Sequence, residues 1–147
     1  MEVVRLVEYL TVDEIRERIK KILKKINCNI DQRILPTYDF PIGDGTPCIN
    51  VNESGYNYII SERGNEYSRK ITKKIDELLY WTFRDIVFEK TNKTNKKREE
   101  WFKEEENFMK KINENWAILL EEEHRKQLLG KKIEEIIIEE DIETIYL

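Results

Sequence analysis

Apolar residues at Val12, Ile15, Ile19, Ile22, Leu23 and Ile26 recur at helical spacing and predict a helix over residues 12–27. Thr11 and Glu14 stand three apart at its start, the capping-box pattern in which a hydroxyl and a carboxylate each satisfy an amide left open by the first turn. All three prolines (Pro36, Pro41, Pro47) follow, together with Gly43 and Gly45, so this stretch is expected to be connecting loop. The period then changes. "CINV", "YNYIIS" and "EYSRKIT" are expected to be strands, with Gly55 closing the first turn and "RGNE", centred on Gly64 and Asn65, closing the second.

Strand alternation sets Tyr56, Tyr58 and Ile60 on one face of the middle strand and Asn57, Ile59 and Ser61 on the other, so either face could be buried. In the third strand Tyr67, Arg69 and Ile71 alternate with Glu66, Ser68 and Lys70. From residue 73 to 90 helical spacing returns through Ile75, Leu78, Leu79, Phe83, Ile86 and Val87. A basic loop, "KTNKTNKK", separates it from helices expected over 98–112 and 114–129, with Asn113 placed to cap the second. The expected fold class is therefore α+β: a three-stranded antiparallel meander packed with an N-terminal helix and several C-terminal helices, in one domain over residues 1–147. Residues 131–147 form an acidic tail that suits a short helix or an edge strand equally.

Composition agrees with a folded domain. The apolar group makes up 39% of the 147 residues and aromatics 10%, enough apolar area to offset the entropy of ordering the chain. The net charge of −4 is unevenly placed: residues 1–71 carry 11 basic and 11 acidic residues, 72–130 carry 13 and 13, and 131–147 carry 2 and 6. A near-neutral body lacks the basic footprint of phosphate-backbone binding, so nucleic acid is not expected as a partner. No run approaches the apolar length of a membrane span, and the first thirty residues lack the pattern of a cleaved leader. A cytoplasmic protein is expected, with Cys28 and Cys48 as reduced thiols.

The chain carries few residues in patterns suited to catalysis. His124 is the only histidine and sits in "EEEHRKQ", where a surface helical position is expected; without a second histidine or a cysteine pair there is no zinc-type ligand set. No serine lies in a nucleophile elbow, and "GDG" at 43–45 lacks the lysine of a phosphate-binding loop. No cofactor and no metal are therefore expected. Carboxylate pairs such as Glu62 with Glu66 are common by chance in so acidic a chain, and acid–base work needs burial to shift a pKa.

The runs "ILPTYDF", "PCINVNESGYNYIISERGNEYSRKITKKIDELLYWTFRDIVF" and "NENWA" resemble the immunity protein 63 family of bacterial polymorphic-toxin systems. The likeness spans residues 11–129 and is most specific over 47–88, where "GYNY", "ERGNE", "RKIT" and "DELLYWTF" fall in order. It implies a protein that is not an enzyme and that protects a bacterium by binding a cognate toxin domain in the cytosol. Acidic groups would suit a basic toxin such as a nuclease. The matching positions nominate Glu62, Arg63, Glu66, Arg69, Asp76 and Glu77 as candidate toxin contacts. Two alternatives stand beside this reading: a small metal-dependent enzyme working through Glu62, Glu66 and Asp76, and a regulatory adaptor for another protein. The strand charges also have a plain role, cross-strand ion pairs that fix register, and Asp76 and Glu77 would suit a helix N-terminus.

Overall fold

The computed structural model describes residues 8–91 and 94–146, with 135–146 described by backbone alone. Helix α1 runs Val12–Lys25 and opens with the expected capping box: the Thr11 hydroxyl accepts from the Glu14 amide, and the Glu14 carboxylate accepts from the Thr11 amide. It stops two residues short of the expected end because Asn27 turns left-handed, at φ 53°. The Asn27 amide then donates to Lys24 and that of Cys28 to Leu23, so an asparagine closes the helix where glycine is usual.

Beyond α1 the described residues form four strands in the order β1 (Thr37–Tyr38), β2 (Cys48–Asn52), β3 (Gly55–Glu62) and β4 (Asn65–Thr72). The three expected strands form an antiparallel meander, but the sheet is mixed, because β1 adds to β2 in parallel from within the proline-rich stretch. The Thr37 amide donates to Pro47 and that of Asp39 to Ile49. A two-residue strand shows no alternation, and Pro36 is compatible with an edge; nothing in the pattern marks it.

Cross-strand rows show what each face meets. Tyr38, Ile49, Tyr58 and Lys70 lie side by side. Arg16 of α1 sits over the Tyr38 ring, and Trp81 of helix α2 (Ile75–Lys90) meets both the Tyr58 ring and the Lys70 ammonium. This face carries the helices, and the core gathers under them from Ile15, Ile19, Ile49, Leu78, Phe83 and Ile86. The other row, Thr37, Cys48, Ile59 and Arg69, belongs to the second face. Ile59 and Asn57 are also buried, so β3 is covered on both sides. Both cysteines are free thiols, and burial pushes that of Cys48 up from its ordinary value.

Gly55 holds the β2–β3 connection at φ 120°, and a Cβ there would stand 2.5 Å from the Thr72 carbonyl oxygen of β4. Gly64, at φ 80°, faces open space. Gly55→Ala is therefore expected to cost about 2 to 3 kcal/mol, because backbone strain and a clash with main chain add, whereas Gly64→Ala costs about 1 kcal/mol. Urea midpoints of the two variants, read by circular dichroism, check the difference.

The chain groups into two compact units, Met1–Lys90 and Thr91–Leu147. The second is a helical hairpin of α3 (Arg98–Ile112) and α4 (Glu114–Tyr146). Asn113 caps α4 by accepting from the Trp116 amide at 3.1 Å, as its position predicts. The tail over 131–146 continues α4 as helix, with Gly130 inside it. Phe102, Met109, Trp116 and Leu120 form the hairpin core.

Candidate functional site

The β3–β4 connection is a two-residue turn. Glu62 pairs with Asn65, and the residues between them, Arg63 and Gly64, have φ of 50° and 80°. Twist matching favours two left-handed positions in such a turn. The second of the two expected left-handed residues was Asn65; the structure puts Arg63 in that role and makes Asn65 the first residue of β4.

The "GDG" loop lies alongside this turn. The Gly45 amide donates to the Ser61 carbonyl and the Arg63 amide to the Gly43 carbonyl, both at 2.9 Å, which bridges Asp44 to Glu62. Two glycines at φ 87° allow the loop to bend into place, and the Glu62 carboxylate rests where a Cβ of Gly45 would sit. Beside it opens a cleft of about 420 Å³ whose acids are Asp44, Glu62, Asp85 and Glu89. Among the described residues Arg33 is the one cation in its lining, and that guanidinium is already engaged by Asp31 at 2.8 Å, holding the Asp31 carboxyl down to about 2. A hydrogen bond from Thr46 likewise lowers Asp44. The cleft thus presents acid with little compensating positive charge.

Glu66 and Arg69 were expected on opposite faces of their strand. The register slips by one between Ile60 and Ser61, so that Ile60 pairs with Ser68 but Ser61 pairs with Glu66. Tyr67 is the extra residue of a β-bulge. It brings Glu66 onto the second face beside Arg69, where the guanidinium donates through Nε and a terminal nitrogen to the carboxylate, the shortest contact being 2.7 Å. The other terminal nitrogen donates to Oδ1 of buried Asn57 at 2.9 Å, and Asn57 donates to the Gly55 carbonyl. The Glu66–Arg69 pair therefore lies within β4 and is not the cross-strand ion pair expected; the bond from this group to β3 runs from Arg69 to the neutral amide of Asn57.

Asp76 and Glu77 lie in the first turn of α2, after the end of β4 opposite the Arg63 turn. At roughly 3.3 Å per residue, the six steps from Glu66 to Thr72 span about 20 Å. The six candidate contacts thus split into a turn group (Glu62, Arg63), a mid-strand pair (Glu66, Arg69) and a helix-start group (Asp76, Glu77). Glu62, Glu66 and Asp76, the acids of the metal-enzyme alternative, do not converge. Among the described residues no group of three His, Cys, Asp or Glu side chains is placed to hold a metal ion.

Two clusters escaped sequence reasoning. Between β3 and α2 the Tyr58 hydroxyl donates to the Asp85 carboxylate, with Lys70 over the Tyr58 ring. Burial, reinforced by the Asp85 charge, lifts Tyr58 well above its usual range. Asp85 is also raised, mainly by burial, although Tyr58 and nearby cations oppose the shift. In the helical hairpin His124 is buried, not at the surface as its sequence neighbours suggest. Its ring stacks on Phe102 at 3.8 Å, with Glu106 at 2.8 Å from Nδ1 and Glu105 at 3.3 Å from Nε2. The partners come from α3, some twenty positions earlier, beyond any local motif.

Residues 52–126 match the family model described as Immunity protein 63. The chain belongs to the immunity protein 63 family. Comparison with curated proteins and with solved structures returns no match. The family span runs from the last residue of β2 into α4, ending at Lys126. It takes in all six candidate contacts, the bulge, Asp85 and His124, and it leaves Arg33 and Asp44 of the cleft outside. Membership gives the protein an immunity role against a toxin. Among the described residues no helix is long and apolar enough to cross a membrane.

Proposed function

We propose that this protein acts in the cytosol by binding a cognate toxin domain and blocking it, with no chemistry of its own. The observation that carries the reading within the family is the acidic cleft beside the β3–β4 turn, lined by Glu62, Asp44, Asp85 and Glu89. Carboxylates gathered with few cations attract a basic surface such as the substrate-binding face of a nuclease, and they speed encounter and select the partner more than they add affinity. Blocking follows when these carboxylates stand where substrate phosphates would otherwise lie.

Co-expression with the toxin domain encoded beside the gene should restore growth. Glu62→Lys together with Glu89→Lys, both exposed positions, should leave the circular dichroism spectrum unchanged and weaken binding at least about tenfold, chiefly through slower association. Failure of rescue with every neighbouring toxin would remove the immunity reading. Rescue that is indifferent to the charge reversal would move the contact away from the cleft.

A further inference from the structure

Among the described residues β4 is the last strand of the sheet; it is eight residues long, and its Glu66, Tyr67, Arg69, Lys70 and Ile71 are all exposed. Among the described residues no backbone hydrogen bond reaches it from the side away from β3. Alternate amides and carbonyls along that side are thus open to another chain. Natural proteins defend such an edge with short strands, bulges or outward-reaching charges; the bulge of β4 lies at its turn end, at Tyr67, and the pairing from Ser68 to Thr72 is regular. Here both cations of the strand are drawn back: Lys70 lies over Trp81, its ammonium 5.3 Å from the ring centre, and Arg69 is held by Glu66 and Asn57. Tyr67 and Ile71, at 66% and 49% exposure, stand on either side of Arg69 on the second face.

We propose that β4 receives an extended segment of the toxin domain as a fifth strand, a docking mode that rests on the toxin-binding reading above. The incoming strand carries apolar residues opposite Tyr67 and Ile71 and a hydrogen-bond acceptor, acidic or amide, between them. Of the five guanidinium N–H groups of Arg69 three are used within the chain, which leaves two for that acceptor. A second copy of this chain fits poorly. Antiparallel self-pairing that sets Tyr67 against the second copy's Ile71 puts Arg69 against Arg69. A shift of one residue sets Tyr67 against Lys70 or Thr72 and Ile71 against Glu66 or Ser68.

Hydrogen exchange of the full chain, alone and with the neighbouring toxin domain, tests the mode. Alternate β4 amides between Ser68 and Thr72 should exchange fast in the free protein and become protected in the complex. Tyr67→Lys with Ile71→Lys should weaken binding about tenfold or more with the fold intact. Binding without protection of these amides, or unchanged affinity of the double variant, overturns strand addition and leaves toxin binding standing. Absence of any binding or rescue overturns both. Self-association of the protein alone with the same amides protected assigns the edge to a second copy and also overturns the proposal.

Discussion

His124→Ala is expected to destabilise the protein by about 3 to 5 kcal/mol, the range for breaking a buried charge pair by deleting one partner. The imidazole lies between Glu105 and Glu106 and is itself buried, with Glu105 buried beside it. Alanine would leave two carboxylates together without their cation and strip the stacked face of Phe102. Burial alone would pull the His124 pKa down, but the two carboxylates outweigh it and raise it above the ordinary 6.5. Because the folded value exceeds the unfolded one, the stabilisation is complete below about pH 6.5 and is lost as the pH climbs through the folded value. Urea midpoints should therefore fall between about pH 6 and about pH 9 in the natural protein, and this fall should disappear in His124→Ala. His124→Leu combined with Glu105→Leu should recover much of the loss, since removing both members of a buried pair costs far less than removing one. A pH-independent midpoint in the natural protein would show that His124 stays neutral.

Phe83→Ala should cost a similar amount, about 3 to 5 kcal/mol, by a different route. Phe83 has no exposed surface and lies on α2 among Leu79, Ile86 and Val87, all buried. Truncation removes apolar burial and leaves a cavity that a layer packed between helix and sheet fills only in part. The urea midpoint should drop while the slope of the transition stays as it was, and no dependence on pH should accompany the drop. Those two responses separate a packing defect at Phe83 from an electrostatic one at His124.

Much of the architecture could be read from spacing, because helices and regular strands write their periods into the chain. Six apolar positions and the Thr11–Glu14 pair located α1, and the stripe through Phe83 located α2. What stayed hidden has no period. A strand of two residues, Thr37–Tyr38, shows no alternation, and its parallel bond to β2 depends on a loop folding back. The left-handed Asn27 and Arg63 occupy positions where glycine would have been the visible signal. Tyr67 shifted the face of Glu66 because a bulge depends on pairing with another strand and not on local residue type. The burial of His124 and Asp85 was equally out of reach, since each owes its environment to side chains on a different element. Of the candidate contacts, the positions were legible but their grouping was not.

The bulge bears on how this hairpin tolerates change in length. Deleting Tyr67 would remove the bulge and restore strict two-residue phase between the turn and Arg69: Glu66 would stay opposite Ser61, two positions from Arg69 and on the same face, with the carboxylate still within reach of the guanidinium. A single codon lost there would leave the acid on the surface it already occupies, so the strand can shorten by one residue at that point without redrawing its charge pattern.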